Sequence, residues 1–132
     1  MKSFIKQLLR EEIETMPKKA IVQKFMDFVI DHLGIDGKVT AILTNKKDGI
    51  RTTAVYNHAE ASIKIYIKNR AIVDILRSLA HEMVHHKQNQ RGELKDNPHA
   101  GDDGSPQENE ANAKAGELIR IFGRQNTEIY ES

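Results

Sequence analysis

Apolar residues recur along this chain with two different periods. In residues 3–13, Phe4, Ile5, Leu8, Leu9 and Ile13 share one helical stripe, with Glu11, Glu12 and Glu14 off it. That spacing predicts a short amphipathic helix over residues 1–14. Thr15-Met16-Pro17 then restarts the chain, with proline at a first helical position. Ala20, Ile21, Phe25, Phe28, Val29 and Leu33 continue at helical spacing as far as Gly34. This second helix is the most apolar of the protein and the expected support of its core.

Beyond Gly34 the period falls to two. Residues 38–44 form a short β-branched run, 45–49 a turn cluster and 50–56 a second run. Residues 57–61 make another turn, and in 62–67 Ile63, Ile65 and Ile67 face one way while Ser62, Lys64 and Tyr66 face the other. Three short strands joined by tight turns predict an antiparallel β-meander with one face covered by helices.

Helical spacing returns after Asn69, a candidate N-cap. Ile72, Leu76, Leu79, Ala80 and Met83 line one side of this central helix, His81 and His85 lie roughly opposite, and Gly92 is the expected stop. Residues 93–104 lack any period and are expected to form an exposed, mobile loop. Ser105-Pro106-Gln107-Glu108 opens a last helix with the stripe Ala111, Ala115, Leu118, Ile119 and Phe122, ending at Gly123. Residues 124–132 form a tail anchored by Ile129 and Tyr130. The whole, residues 1–132, reads as one α+β domain.

Composition removes several classes of function. The formal charge is +1 with signs mixed, so there is no nucleic-acid footprint. No cysteine is present, which excludes disulfides, a thiolate nucleophile and a cysteine-rich zinc site; any metal must be held by histidine and carboxylate. The N-terminal apolar positions are interrupted by Lys6, Gln7 and Arg10, so no signal peptide is expected, and no apolar run reaches membrane-spanning length. A cytoplasmic protein is the expectation; its oligomeric state is not legible.

The chemistry concentrates in Leu79-Ala80-His81-Glu82-Met83-Val84-His85. Four residues apart on a helix, His81 and His85 can present their imidazoles to one ion, with Glu82 beside them as base toward a metal-bound water. This is the H-E-x-x-H arrangement of zinc hydrolases. A catalytic zinc needs a third protein ligand. Gln88 and Arg91 stand where a metzincin would carry Gly and His, which excludes that class. Glu108 is the better candidate: it lies in line with Ala115 and Ile119 on the core-facing stripe, where an unpaired carboxylate is costly. Ser105-x-x-Glu108 is also a capping box, and one carboxylate can serve both purposes. Asp102 and Asp103 are the fallback ligands. His86 is expected to be a partly buried structural residue and His58 an exposed turn residue.

With Glu108-Asn109-Glu110-Ala111-Asn112 added, the chain resembles the gluzincins, HExxH metallopeptidases whose third ligand lies in a downstream Glu-x-x-Ala/Ser-Asp/Asn pattern. It is most similar to the minimal zincin-like peptidases of bacteria and their phages. The resemblance covers two helices, about a third of the chain. It implies Zn2+ on His81, His85 and Glu108, Glu82 as general base, and Asn112, where such families usually carry aspartate, steadying a histidine ligand. It also implies that residues 62–67 form a sheet edge able to pair with a peptide substrate. The oxyanion donor stays open between His99 on the loop and Tyr66 on the polar side of the third strand. The expected function is zinc-dependent peptide hydrolysis; the alternative is an inactive zincin-fold binding or structural module tied by a structural zinc.

Overall fold

Helical dihedrals run without interruption over α1, Lys2–Leu33, so the two N-terminal helices expected from the sequence are one. Pro17 removes a single backbone donor from the ladder, and the residues on either side stay helical. The computed structural model describes residues 2–47 and 53–131, with side chains from Lys18 onward. The side chains of the Phe4 to Ile13 stripe, and the start of the expected second strand, therefore lie outside what is described. In the rest of α1, Val22, Phe25, Met26 and Val29 are buried, whereas Ala20 is exposed.

Three strands follow: β1 (Thr40–Thr44), β2 (Ala54–Asn57) and β3 (Ser62–Tyr66). Their order is β1-β3-β2, with β3 parallel to β1 and antiparallel to β2. This corrects the expected antiparallel meander. The short turn after Asn57 makes β2 and β3 a hairpin, but nine residues, 45–53, separate β1 from β2. That length lets the chain pass beyond the place β3 will occupy, and β3 then inserts between them. Residues 62–67, expected at a sheet edge, are therefore central. Among the described residues the edges are β1 and β2.

Alternation along β3 puts Ile63 and Ile65 into the core, with Ile67 just beyond the strand, all at 3% exposure or less. They pack with the apolar side of α2 (Ile72–Gln90), on which Ile75, Leu76, Leu79, Ala80 and Met83 are fully buried. Asn69 does not cap α2: it takes a left-handed turn at φ 57°, which asparagine tolerates, and Ala71 occupies the cap position without a side-chain bond. The end is as expected. Gly92, at φ 78°, donates to Asn89 O and Glu93 N to Gln88 O, closing the helix with the glycine-dependent Schellman pair.

Helix α3 (Pro106–Gln125) packs chiefly against α2 through Ala111, Ala115, Leu118 and Ile119. Phe122 meets Phe25 edge-on at 5.0 Å between ring centres and so ties α3 to α1. Gly123 does not end α3 as expected. It lies inside the helix with the Tyr130 ring over it, in the space a Cβ would need. The chain then closes in a single turn of 3-10 helix, Thr127–Tyr130, which buries Ile129. The segment 93–104 is a run of hydrogen-bonded turns with Ala100 buried. No helix among the described residues is long and apolar enough to cross a membrane.

Candidate metal centre

The two facing helices bring three donor atoms together. His81 and His85 project from α2 one turn apart, and Glu108 reaches them from the first turn of α3. His81 Nε2 lies 3.1 Å from Glu108 Oε2, His85 Nε2 3.0 Å from the same oxygen, and the two nitrogens 3.1 Å from each other. Ligands of a tetrahedral zinc with bonds of 2.0–2.1 Å stand about 3.3 Å apart, so the triangle is nearly the size the ion requires. Two imidazole nitrogens and one carboxylate oxygen are also a donor set that zinc accepts, and among the described residues they form a group able to hold a metal.

Proton placement supports the fit. Gln88 is fully buried, and its Nε2 donates to Gln107 O at 3.0 Å and to Glu110 Oε1 at 2.9 Å. Its Oε1, 2.8 Å from His85 Nδ1, must therefore accept, which places the proton of neutral His85 on Nδ1 and leaves the Nε2 lone pair facing Glu108. An imidazole lone pair and a carboxylate oxygen at 3.0 Å repel unless a proton or a metal cation lies between them. On His81, burial pulls the proton affinity below the ordinary imidazole range; the Glu108 carboxylate and a hydrogen bond with Asn112 oppose this, while His85 adds to it.

The capping alternative for Glu108 resolves in the backbone. Ser105 Oγ accepts from Glu108 N at 3.1 Å, so half of the capping box forms. Ser105 N donates to Asp102 O instead of to the glutamate, and the Glu108 carboxylate is left for the histidines. The fallback Asp102 and Asp103 are exposed, with Asp102 paired to His99.

Glu82 lies between two arms of a cleft. One arm, of about 560 Å3, is lined by Arg70, Ser78, His81, Glu82 and Glu108; the other, of about 330 Å3, by Tyr56, His58, Glu82, His85 and Glu108. Ala54 of the edge strand β2 borders both. Burial pushes the Glu82 carboxyl up to about 7, opposed by His85 and reinforced by the negative charge of Glu108. A cation on Glu108 would cancel that last contribution.

Neither expected oxyanion donor lines either arm. His99 is 82% exposed, held 2.9 Å from Asp102, and borders a separate hollow with Asp103 and Gln107. Tyr66 pairs with Thr44 of β1, and its ring carries the Lys47 ammonium at 5.1 Å. Both miss for one reason: each position depends on the order of the strands or the path of the loop, which local pattern does not encode. His86, expected to be structural, is buried with Nδ1 2.6 Å from the Tyr56 hydroxyl, which also accepts from Asn89. This cluster fastens the edge strand to α2. His58 is exposed in its turn, as expected. Gln88 and Arg70 were not singled out from sequence, because a buried amide and a cation lining a cleft show only once the helices are packed. No family model, characterised protein or solved structure matches the chain.

Proposed function

We propose that this chain is a zinc-dependent peptidase acting in the cleft between β2 and α2. The observation that carries the reading is the convergence of His81 Nε2, His85 Nε2 and Glu108 Oε2 within hydrogen-bond distance of one another beside Glu82. Zinc bound there would supply a Lewis acid that acidifies water and polarises a carbonyl.

The chain's own residues divide the remaining work. His81, His85 and Glu108 would hold the ion. Glu82 takes the proton from the attacking water and passes it to the leaving amine. Gln88 and Asn112 hold the imidazoles in orientation through their hydrogen bonds. Among the described residues β2 is an edge strand, a side along which an extended peptide could pair, the role the resemblance assigned to residues 62–67.

Elemental mass spectrometry on protein purified without added metal is expected to find about one zinc per chain. Glu82→Gln should keep that zinc and lose hydrolysis of a mixed peptide substrate by roughly 10²–10⁴-fold. Zinc absent even after reconstitution ends the enzyme reading. Loss of zinc on Glu82→Gln would give Glu82 a structural role instead.

A further inference from the structure

Arg70 stands between β3 and α2 with its guanidinium folded over the start of the helix. Nη1 donates to Tyr66 O at 2.7 Å, and Nη2 donates to Asp74 O at 2.9 Å and to Ser78 Oγ at 2.7 Å. All three acceptors are neutral oxygens. Among the described residues no carboxylate pairs with Arg70: the acid nearest in charge, Asp74, turns its carboxylate to Arg77 at 3.8 Å, and that pair is largely exposed. Burial disfavours the charge on Arg70, and Asp74 offsets this only in part. A guanidinium keeps its proton in proteins, so the desolvated charge remains.

Among the described residues three of the five N–H donors have partners, leaving Nε–H and one Nη1–H for a ligand. Ser78 Oγ also lies 3.1 Å from Thr53 Oγ1, so guanidinium and hydroxyls form a continuous polar wall from α2 to the foot of β2. Arg70, Ser78 and Thr53 line the same 560 Å3 arm as His81, Glu82 and Glu108. That volume is typical of small-ligand sites, which span roughly 300–1,000 Å3. Arg77 and Asp74 cancel each other, and a doubly charged zinc would offset Glu82 and Glu108. Among the described residues, one cation facing the arm is left without a counter-charge.

We infer that this arm is a carboxylate-binding subsite, in which Arg70 receives a carboxylate of the peptide close to the scissile bond. The inference rests on the peptidase reading for its substrate and deepens it. An acidic side chain and a free C-terminus offer the same group. The first would make the protein selective for acidic residues, the second would make it remove residues from peptide ends.

The test uses the zinc-loaded full chain and three matched dipeptide hydroxamates, binding followed by calorimetry. One probe ends in a free carboxylate, one is amidated but carries an aspartate side chain, and one is amidated with asparagine in its place. At least one carboxylate probe should bind about tenfold or more tightly than the neutral one, as a charged hydrogen bond predicts. Which probe gains identifies the source. Arg70→Gln should abolish the advantage with zinc content unchanged. Arg70→Lys, expected to retain a reduced advantage, covers failure of the first variant to fold. Equal binding of all three probes, or an advantage that survives Arg70→Gln, overturns the subsite. Hydrolysis of the parent peptides separates the two readings: cleavage without carboxylate preference leaves the peptidase standing, whereas preference without cleavage leaves the subsite standing. Absence of binding by every probe overturns both.

Discussion

Gln88 shows how one neutral side chain can set the chemistry of a charged neighbour. Its amide is fully buried and bonds to His85, Gln107 and Glu110 inside the protein, and the direction of those bonds fixes which nitrogen of neutral His85 is bare. Glu110, which accepts from Gln88, is held below the ordinary carboxylate range by that bond and by Arg91 at 2.6 Å. The chain Arg91, Glu110, Gln88, His85 thus runs from the surface to the candidate metal site. Replacing Gln88 by leucine keeps much of the volume but strands the His85 Nδ1 proton and takes one donor from Glu110. Gln88→Leu is expected to weaken zinc binding about 10–100-fold while leaving a folded chain, measured by competition with a coloured zinc chelator. An unchanged affinity would mean that packing alone orients His85. Sequence gave no warning of this role: glutamine at that spacing is ordinary on a helix, and its burial follows only from the way α3 lies across α2.

At the scale of elements, the start of α3 decides where Glu108 points. Ser105 Oγ accepts from Glu108 N and donates to Ala100 O at 2.7 Å, so one hydroxyl both caps the helix and pins the preceding turns to it. Ser105→Ala removes both bonds. It should lower stability by about 1–2 kcal/mol, or roughly 4–7 °C in a thermal melt. Ser105→Asp keeps the acceptor and should recover part of the loss; equal melting of both variants would show the cap to be unimportant.

This helix start was legible because Ser-Pro-x-Glu is a local signal, as was the Gly92 stop, whose left-handed backbone belongs to glycine. The two histidines were legible for the same reason, since four residues on a helix fix a shared face. Asn69 misled because asparagine suits a left-handed turn as well as a cap. Gly123 misled because the residue excluding a side chain there is Tyr130, from the next element. Strand order was out of reach: alternation in 62–67 gave the buried face of β3, but nothing local tells a strand which neighbours it will have.

For the molecule as a whole, the question is how far the proposed zinc would hold the fold together. Helices α2 and α3 share an apolar seam of Leu79, Met83, Ala111, Ala115 and Leu118, all nearly or wholly inaccessible to water, and Phe122 locks α3 to α1 independently of the metal. The metal-free chain should therefore remain folded, unlike small zinc domains that lack a core. An ion bound by His81 and His85 on one helix and Glu108 on the other still stabilises the native state by mass action. At a thousandfold excess over its dissociation constant this amounts to about 4 kcal/mol, or roughly 10–15 °C for a chain of 132 residues. Glu108→Ala removes the link between helices while leaving the seam intact. Its melting temperature should lie close to that of the chelated wild-type protein and should not respond to chelator. A cooperative melt that chelation lowers in wild type and leaves unmoved in Glu108→Ala would place the ion between α2 and α3. Equal responses in the two proteins would place any bound zinc elsewhere, and an unfolded Glu108→Ala chain would show that the apolar seam is insufficient without the cross-link.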